Sequence, residues 1–572
     1  MNEAPSSLLV RLAAGLDSSR WRPKVRALEE AIPIEDAPAL SRFPRLTVVG
    51  GALVTSAAAV LLGALVFASG ATRSAGVGLG VAVASLGAYG TWSAPSLIDA
   101  YRRRMAVGST PEIVAYAVLQ ARLTPSLERA ARFAGTRAGG LLGRDVAAIG
   151  TGATPGREGW ERVAAEWASD DEAFPRAVSL FTAGIESGQP ARDALLDRAL
   201  DTVLAGTRDR VAAFAAETRG PATGIYAFGV LLPLAMVGLL PVAASAGVGV
   251  SPAAIAVLYD AIVPVALLAA SFWLAARRPA VSRPPPPLAA LDSPRSPART
   301  TAVVGIAAVG AGLVGFVVLP TWTTWVVVPG VAIGSGALYW FDPVRERRDG
   351  VESVEAGLPE AVSLVGHRLA AGEPLETAIG TVGDRLVGQT ATVFHEGTRI
   401  HRRLRVTVPE AFEGPVGALA DVESPRTETT IALLVAAARN GREGGETLVN
   451  IASYLRDLDD VEREARRELA RTTDTLRQTA LVFGPAIAGV TVALATGMGA
   501  LGDGGRAVPV PALGVVVGVY VLALAVVLPA LSVVLERGMD LAMIGYAVGV
   551  ALLTSSLVYP ITFVAARTVV QV

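Results

Sequence analysis

Two aspartates stand in the most apolar parts of this chain, where a carboxylate is least expected. Asp260 falls in the segment LYDAIVP, inside a long hydrophobic run, and Asp503 follows another such run in GALGDGG. An acid placed in lipid is costly, so it is a functional candidate by default. Two acids that share a proton could activate a water molecule for hydrolysis. That chemistry requires the chain to bring the two carboxyl groups together.

The arrangement of the surrounding segments argues against such a pair. YD at 259–260, ALGD at 500–503 and PAL at 511–513 are similar to motifs of presenilin-like intramembrane proteases. An alanine, however, replaces the first glycine of the G-x-G-D motif, and Asp503 falls in a loop rather than in an apolar run. Further apolar runs and a polar block also separate the two acids. We therefore interpret Asp260 as a structural intramembrane polar residue, with Tyr259 as one candidate partner.

Other catalytic groups are scarce. Lys24 is the single lysine among 50 basic residues and follows a proline, so the chain cannot supply the lysine of a P-loop. Cysteine is absent, which excludes disulfides and thiolate chemistry. Of the histidines His367, His395 and His401, the last two are six residues apart, not the four that place two imidazoles on one helical face for zinc. We predict a protein that is not an enzyme and has no cofactor or metal.

The composition is that of a membrane protein. Of 572 residues, 52% are hydrophobic and 18% are charged, and the mean hydropathy is +0.48. The formal net charge of −1 offers no field for nucleic acid. A spanning helix needs roughly 20 mostly apolar residues. Nine segments qualify: 46–68, 74–95, 221–246, 252–275, 301–320, 322–341, 481–501, 509–534 and 541–563.

Two polar blocks interrupt these segments, block 1 at 97–220 and block 2 at 343–480. The arginine clusters YRRR at 101–104, ARR at 276–278 and RERR at 345–348 share one side if both blocks face the cytoplasm. We predict a multi-pass protein of the cell membrane with cytoplasmic blocks. The other predicted parts are a cytoplasmic N-terminal segment (1–44), spans 1–2 (45–96), spans 3–4 (221–276), a proline-rich cytoplasmic linker (277–300), spans 5–6 (301–342), spans 7–9 (481–563) and an external tail (564–572).

The two blocks repeat one another. Pro111-Glu112 begins PEIVAYAVLQARLTPSLERAA, and Pro359-Glu360 begins PEAVSLVGHRLAAGEPLETAI, which aligns with it without a gap. Each block then reaches a G-x-E-[S/G]-G segment, GIESG at 184–188 and GREGG at 441–445. Each block also follows two spans and precedes two more, and a ninth span is appended. The sequence therefore predicts an internal duplication with two homologous domains.

Both blocks have the periodicity of helices. In block 2 apolar residues recur at helical spacing from 361 to 369, and Gly372 is expected to end that helix before Pro374. The G-x-E-[S/G]-G segment is predicted to close a hairpin of antiparallel helices, its glycines supplying backbone freedom. Glu186 and Glu443 would either cap a helix locally or contact a partner. The helix after the second segment should continue directly into the span at 481. The predicted fold class is an all-α polytopic membrane protein.

Small residues also mark the spans. Gly76/Gly80 and Gly514/Gly518 are small-xxx-small pairs, which let helices approach closely. They favour packing within the chain, and would also suit a homodimer.

These features together resemble the type II secretion system F domain, the family of membrane platform proteins of secretion systems, type IV pili and archaella. The family's Leu-Pro start, A-G-x-P-L turn and G-E-x-G turn are matched in block 2 by Leu358-Pro359, by AGEPL at 371–375 and by EGG at 443–445. Block 1 departs more, since Thr110 replaces the leucine and RLTPSL lacks the Ala-Gly pair. Two copies in one chain with nine spans resemble the archaeal members.

The resemblance implies a non-catalytic hub in the membrane lipid. Such a platform anchors a hexameric cytoplasmic ATPase, recruits pilin-like subunits and passes motor motion to the filament base. The alternatives are a secondary transporter, because duplicated membrane halves are common there, and the aspartyl protease considered above.

Block 2 is the expected docking surface for the ATPase, because it keeps the motifs more fully. Its charged runs RRLR at 402–405 and RDLDDVERE at 456–464 would be either solvated faces or docking faces. The candidate partner-contact or hairpin-turn residues are Pro111, Glu112, Glu186, Gly188, Pro359, Glu360, Gly372, Pro374, Arg402, Arg403, Arg405, Glu443, Gly444 and Gly445.

Overall fold

The computed structural model describes residues 103–152, 155–245, 252–279, 296–420, 422, 424–500 and 510–570, and the regular structure in these ranges is helical, with no strand. The predicted N-terminal segment, the spans at 46–68 and 74–95, most of the linker and Asp503 lie outside them. The chain divides into two compact units, one of Met1–Arg103 with Ser251–Leu258 and one of Arg104–Val250 with Tyr259–Val572. Of the first unit little more than one short helix is described.

From Thr110 onward the described part of block 1 contains six helices, whose apolar faces enclose the buried rings of Trp160, Phe174 and Phe181. The second helix begins after Ser126, whose hydroxyl accepts a hydrogen bond from the Arg129 N–H at 3.3 Å, a typical N-cap. The helices are α1 (Thr110–Leu123), α2 (Leu127–Ala138), α3 (Gly140–Gly150), α4 (Gly156–Trp167), α5 (Ala173–Glu186) and α6 (Ala191–Tyr226).

The next helices, apolar over most of their length, are α7 (Leu232–Ser245), α8 (Pro252–Val257), α9 (Val263–Arg277) and α10 (Pro297–Val318). Much of the surface of α10 is exposed, including Ile306 at 75% and Phe316 at 75%, as expected of a helix that faces lipid.

Block 2 is built by the second half of α11 (Thr324–Ala370) and by α12 (Leu375–Gly383), α13 (Gln389–Leu404), α14 (Val408–Glu413), α15 (Pro425–Ala438) and α16 (Gly441–Gln478). Its helices pack in the same pairs as those of block 1. The first element packs on the second and on the last, the second on the third, and the fifth on the last. This common arrangement is the one expected of repeated units.

The chain ends with three apolar helices, α17 (Gly484–Ala500), α18 (Val510–Arg537) and α19 (Leu541–Val570). In the described part of the chain seven helices are long and apolar enough to cross a membrane. They coincide with seven of the nine predicted spans, so the prediction of a multi-pass, all-α protein is confirmed to that extent. The seven are Ala191–Leu240, Ala254–Arg277, Ala298–Val318, Thr321–Ala370, Gly441–Thr496, Pro511–Arg537 and Leu541–Val569.

Three of these helices belong to a block and to a span at once. α6 passes into α7, α16 passes into α17, and α11 runs unbroken for 47 residues from the span at 322–341 to Ala370 in block 2. The predicted continuation of α16 into the span at 481 is therefore confirmed. The domain boundaries predicted at 220, 342 and 480 fall inside helices. They were placed where the hydropathy of the sequence changes, but the helical hydrogen bonding of the backbone continues across these positions.

A π turn marks both joins between α6 and α7 and between α16 and α17. The turns Ala227–Leu231 and Thr479–Phe483 each end two residues before a proline, Pro233 or Pro485, and a third, Leu258–Ile262, stands in the same relation to Pro264. Proline lacks an N–H and its ring presses on the carbonyl four residues earlier. Widening the preceding turn relieves that conflict, which is a known cause of π-bulges.

The carbonyls near these turns find partners on neighbouring helices. The Tyr520 hydroxyl donates to the carbonyl of Gly229, the group that faces Pro233 one turn later, and the Tyr259 hydroxyl donates to the Pro233 carbonyl at 2.5 Å. The Ser555 hydroxyl likewise donates to the Ala480 carbonyl at 2.9 Å. Since a bilayer core supplies no water, the bonds to Gly229 and Ala480 satisfy carbonyls for which Pro233 and Pro485 offer no N–H.

The two blocks share one hydrophobic core. Ile113 and Phe174 of block 1 belong to the same buried cluster as Phe394 and Leu448 of block 2. α1 packs against α15 and α16, and α6 packs along α16, where Val211 contacts Ala465. The two blocks, predicted as homologous domains, are thus in direct contact, because α1 buries part of its apolar surface on the other block.

The small residues of α18 serve packing within the chain. A Cβ at Gly514 would lie 2.6 Å from the Trp322 ring, and a Cβ at Gly518 would press on Val326 at the start of α11. The preference for internal packing at this pair is therefore confirmed, whereas Gly76 and Gly80 lie outside the described residues.

The predicted orientation can be tested with single cysteines in this cysteine-free chain. Ser187→Cys in block 1 and Ser453→Cys in block 2 should be protected from an impermeant thiol reagent in intact cells and labelled after lysis. Thr568→Cys, near the predicted external end of α19, should be labelled in intact cells. Labelling of either block before lysis, with Thr568→Cys protected, would reverse the orientation.

Candidate functional site

The two Pro-Glu pairs occupy different positions. Pro111 and Glu112 lie in the first turn of α1, where a proline sacrifices no helical hydrogen bond. Pro359 and Glu360 lie well inside α11, which reaches them from the span without ending. Both prolines are buried, whereas Glu360 is exposed.

The turn after α11 has the predicted geometry. α11 ends at Ala370, Gly372 takes a φ of +92°, and the Gly372 N–H donates to the Leu369 carbonyl at 2.9 Å. Pro374 then precedes the first residue of α12. A positive φ favours glycine, so the prediction that Gly372 ends this helix is confirmed.

The two G-x-E-[S/G]-G segments are not equivalent in structure. Glu186 ends α5 and Gly188 follows in the turn to α6, as predicted, and Glu186 pairs with Arg157 at 2.9 Å on the surface. In block 2 the turn falls earlier, so Glu443, Gly444 and Gly445 lie in the first turns of α16 itself. The prediction of a hairpin turn is correct for block 1 and wrong for those three residues of block 2.

Gly444 and Gly445 allow close helix crossing rather than unusual backbone angles. A Cβ at Gly445 would lie 2.7 Å from the Gly366 carbonyl oxygen and closer still to the Ala370 nitrogen of α11, and a Cβ at Gly444 would overlap the Ala437 carbonyl. By contrast, a Cβ at Gly188 would meet nothing within 4 Å. The block 2 glycines thus set the approach of α16 to α11 and α15.

The crossing brings two predicted motifs together, because a Cβ at Gly372 would lie 3.4 Å from the Arg442 guanidinium. The other predicted cluster is exposed at the end of α13. Arg402 and Arg403 lie in its last turn, and Arg405 follows with a φ of 52°. These three arginines form an exposed basic patch, as both predicted interpretations, a solvated face and a docking face, require.

The histidines are spread over block 2. His367 and His401 contact backbone carbonyls of Ser363 and Val406, each at 2.7 Å, and His395 lies 3.8 Å from an Asp384 carboxyl oxygen. Within the described ranges no group of three or more His, Cys, Asp or Glu side chains is placed to hold a metal ion.

Asp260 lies in the π turn Leu258–Ile262, and one of its carboxyl oxygens is buried without a hydrogen-bond partner. The hydroxyl of Tyr259, our predicted partner for it, donates instead to Pro233. That proposed contact is therefore wrong: the π turn directs the tyrosine to the neighbouring helix.

A buried charge network that sequence reasoning missed lies where block 1 meets block 2. The Arg426 guanidinium, 11% exposed, contacts the carboxyls of Asp459 at 2.6 Å and Glu462 at 3.8 Å, which are each 16% exposed. Glu355 of α11 accepts from the buried Ser424 hydroxyl at 2.6 Å beside them. Three helices of block 2 thus converge on one cation.

α1 of block 1 closes the network. The Tyr454 hydroxyl, buried in α16, donates to the Pro111 carbonyl at 3.0 Å. The next residue, Glu112, is half-buried and adds a fourth carboxylate to the field around Arg426. The Pro-Glu pair of block 1 therefore has a structural role in the contact between blocks.

These charges alter one another's titration. Burial alone would lower the pKa of Arg426, but the carboxylates of Glu462, Asp459, Glu355 and Glu112 outweigh it and raise the pKa, so the guanidinium stays charged. Burial raises the pKa of Glu462 to about 7, and the neighbouring Glu112 and Asp459 add to this rise against the opposing effect of Arg426. Glu462 thus binds a proton near neutral pH.

The network extends toward the membrane end of α16. Arg466 pairs with Glu352 of α11, and Arg537 at the end of α18 reaches the same carboxylate at 3.3 Å. Burial tends to raise the pKa of Glu352, yet these two guanidinium groups outweigh it and hold the pKa below its usual range. Glu352 therefore remains ionised and ties α11, α16 and α18 together.

A sequence signal for the network did exist. Leu455, Asp459, Glu462, Arg466 and Leu469 recur at spacings of four, three, four and three, so three charges fall on the apolar stripe of α16. The run 456–464 is therefore only partly a solvated face.

In comparisons with known proteins, no family model matches this chain, and neither a curated protein nor a solved structure matches it.

The close helix crossing at Gly445 predicts that glycine-to-alanine substitutions at matching positions of the two blocks differ in their effect on thermal stability. Gly445→Ala should lower the thermal unfolding midpoint of the purified chain, because the new methyl group must displace backbone atoms of α11 at a cost of about 1–3 kcal/mol. Gly188→Ala, at the corresponding position of block 1, should leave the midpoint nearly unchanged. Equal midpoints for the two variants would show that α16 does not need this close approach.

The network also predicts a pH dependence of stability. Because the folded pKa of Glu462 is about 7 and the unfolded value is about 4.3, the folded chain holds the proton more tightly. Stability from this group is therefore fully present below about pH 4.3 and is lost as pH rises toward 7, by at most about 1.4 kcal/mol per pH unit.

Thermal unfolding of the purified chain in one detergent from pH 5 to pH 8 measures this effect. Glu462→Gln should flatten the fall in the midpoint, whereas Glu464→Gln, on the exposed face of the same helix, should keep it. An unchanged slope in Glu462→Gln would assign the titration to another group.

Proposed function

We propose that this chain is the membrane platform of a type IV pilus-like or archaellum assembly machine. In this role it couples a cytoplasmic hexameric ATPase to the insertion of pilin-like subunits at the filament base. The proposal rests on the motifs that resemble the type II secretion system F domain and on how the fold uses them.

The observation that carries the proposal is the continuity between blocks and spans. α6, α11 and α16 each extend from a block into an apolar helix, and the blocks share one core. A force applied to either block would therefore reach several membrane helices without crossing a loop. Such an arrangement suits a protein that passes motion from a cytoplasmic motor to subunits in the bilayer.

The family-like motifs of block 2 lie at the crossing that holds this arrangement. Gly372 ends α11 beside Arg442, and Gly445 packs on Gly366. Short-range packing of this kind accounts for why glycine would recur in these motifs without any catalytic role.

The ATPase would dock on block 2, with the exposed arginines Arg402, Arg403 and Arg405 as the contact. Charge complementarity mainly sets encounter rate and salt sensitivity. On this proposal the patch would meet an acidic surface of the motor.

Reversing the three arginines to glutamate in the full-length chain should weaken copurification of the assembly ATPase several-fold, most clearly at low salt, and abolish or reduce filaments. A matched variant reverses Arg129, Arg144 and Arg162, which are exposed on block 1, and should bind like the unmodified chain. Equal ATPase recovery by both variants at low salt would move the docking site elsewhere. Copurification of no P-loop ATPase with the unmodified chain would contradict the proposed function.

A further inference from the structure

Apolar packing and a cluster of charged side chains lie side by side at the contact between the two blocks. Around the single guanidinium of Arg426 lie four carboxyl groups, those of Glu112, Glu355, Asp459 and Glu462. Glu112 belongs to block 1, whereas the other three belong to block 2. A second cation, Arg466, is nearby but also pairs with Glu352.

Such a set cannot be fully ionised at low cost. Charges removed from water lose solvation, and only close pairing restores it. Arg426 satisfies Asp459 at 2.6 Å, but Glu462 stands farther away at 3.8 Å. When Glu462 is ionised, repulsion from Glu112 of block 1 acts between the blocks, whereas the attraction of Arg426 and Arg466 acts within block 2.

We propose that the network of Glu112, Arg426 and Glu462 is a proton-operated latch that holds block 1 against block 2 when Glu462 is protonated and loosens the contact when it ionises. The inference stands apart from the proposed function, since it concerns only how the two blocks contact each other.

Other charged and titratable groups around Glu462 could also respond to a change in pH. Its own helix presents Tyr454, Asp459 and Arg466, α15 presents Arg426, α1 presents Glu112, and α11 presents Glu352 and Glu355. The two arginines stay cationic at physiological pH. The Glu352 carboxylate is held ionised by Arg466 and Arg537. Burial raises the pKa of Glu462 to about 7, so this carboxyl titrates in the neutral range.

Other interactions at the contact would limit how far the two blocks separate. Beyond the charges, the Tyr454–Pro111 hydrogen bond and the packing of α1 on α15 and α16 hold the boundary. Both blocks remain attached to the membrane by continuous helices. Loosening would therefore change the separation of the blocks without releasing either of them.

The cysteine-free chain permits a direct measurement. Spin labels would be attached at Gly188→Cys in block 1 and Val387→Cys in block 2, the latter 92% exposed, in the full chain reconstituted in nanodiscs. With a pKa of about 7, the protonated fraction falls from about nine-tenths at pH 6 to about one-tenth at pH 8. The distance distribution should accordingly shift or broaden between these two values.

Two substitutions test whether the pH-dependent change in distance arises from Glu462 and Glu112. Glu462→Gln, which keeps the shape and removes the charge, should retain the pH 6 distribution at pH 8, and Glu112→Gln should reduce the shift. Glu464→Gln on the exposed face of α16 should behave like the unmodified chain. A distribution independent of pH in the unmodified chain, an unaltered shift in Glu462→Gln, or a Glu462→Gln chain fixed in the pH 8 distribution would each overturn the latch. None of these results depends on whether an ATPase binds.

Discussion

The crossing of α11 and α16 at Gly366 and Gly445 is the contact on which the rest of this structure depends. Each helix continues from block 2 into an apolar length that could span a membrane, so the crossing joins two of these lengths to the block. Dispersion forces fall away within about an ångström of the optimum, and a single methyl group at Gly445 would exceed that tolerance. The block and its spans are thus one packed object rather than a soluble domain tethered to a membrane anchor.

The charge network around Arg426 depends on that crossing, because α11, α15 and α16 must be close before their side chains can meet. Buried ion pairs contribute little net stability, since desolvation offsets most of the attraction. What they impose is specificity: Asp459 and Glu462 reach Arg426 in one register of α15 on α16. The same register places Tyr454 against the carbonyl of Pro111, which positions block 1.

Local sequence patterns predicted much of this architecture. Apolar length identified the seven described spans, and the positive φ of Gly372 follows from its place before Pro374. The features that were not predicted depend on tertiary contacts. The same G-x-E-[S/G]-G motif forms a turn after Glu186 but the start of a helix at Glu443, because the two copies pack against different neighbouring residues. The charged run 456–464 of α16 was expected to be either a solvated face or a docking face, because no local pattern indicates that Arg426 of α15 packs against it. The π turns do not follow from proline alone, since Pro329, Pro529 and Pro560 lie in apolar helices without one.

The π turn at Thr479–Phe483 joins α16 to α17 without a loop. The 38 residues of α16 between this turn and Gly441 span about 57 Å at 1.5 Å per residue. Over that length α16 packs on α11, α6 and α15. The distance between the start of α16 and the span that follows it is therefore set by the length of a single helix.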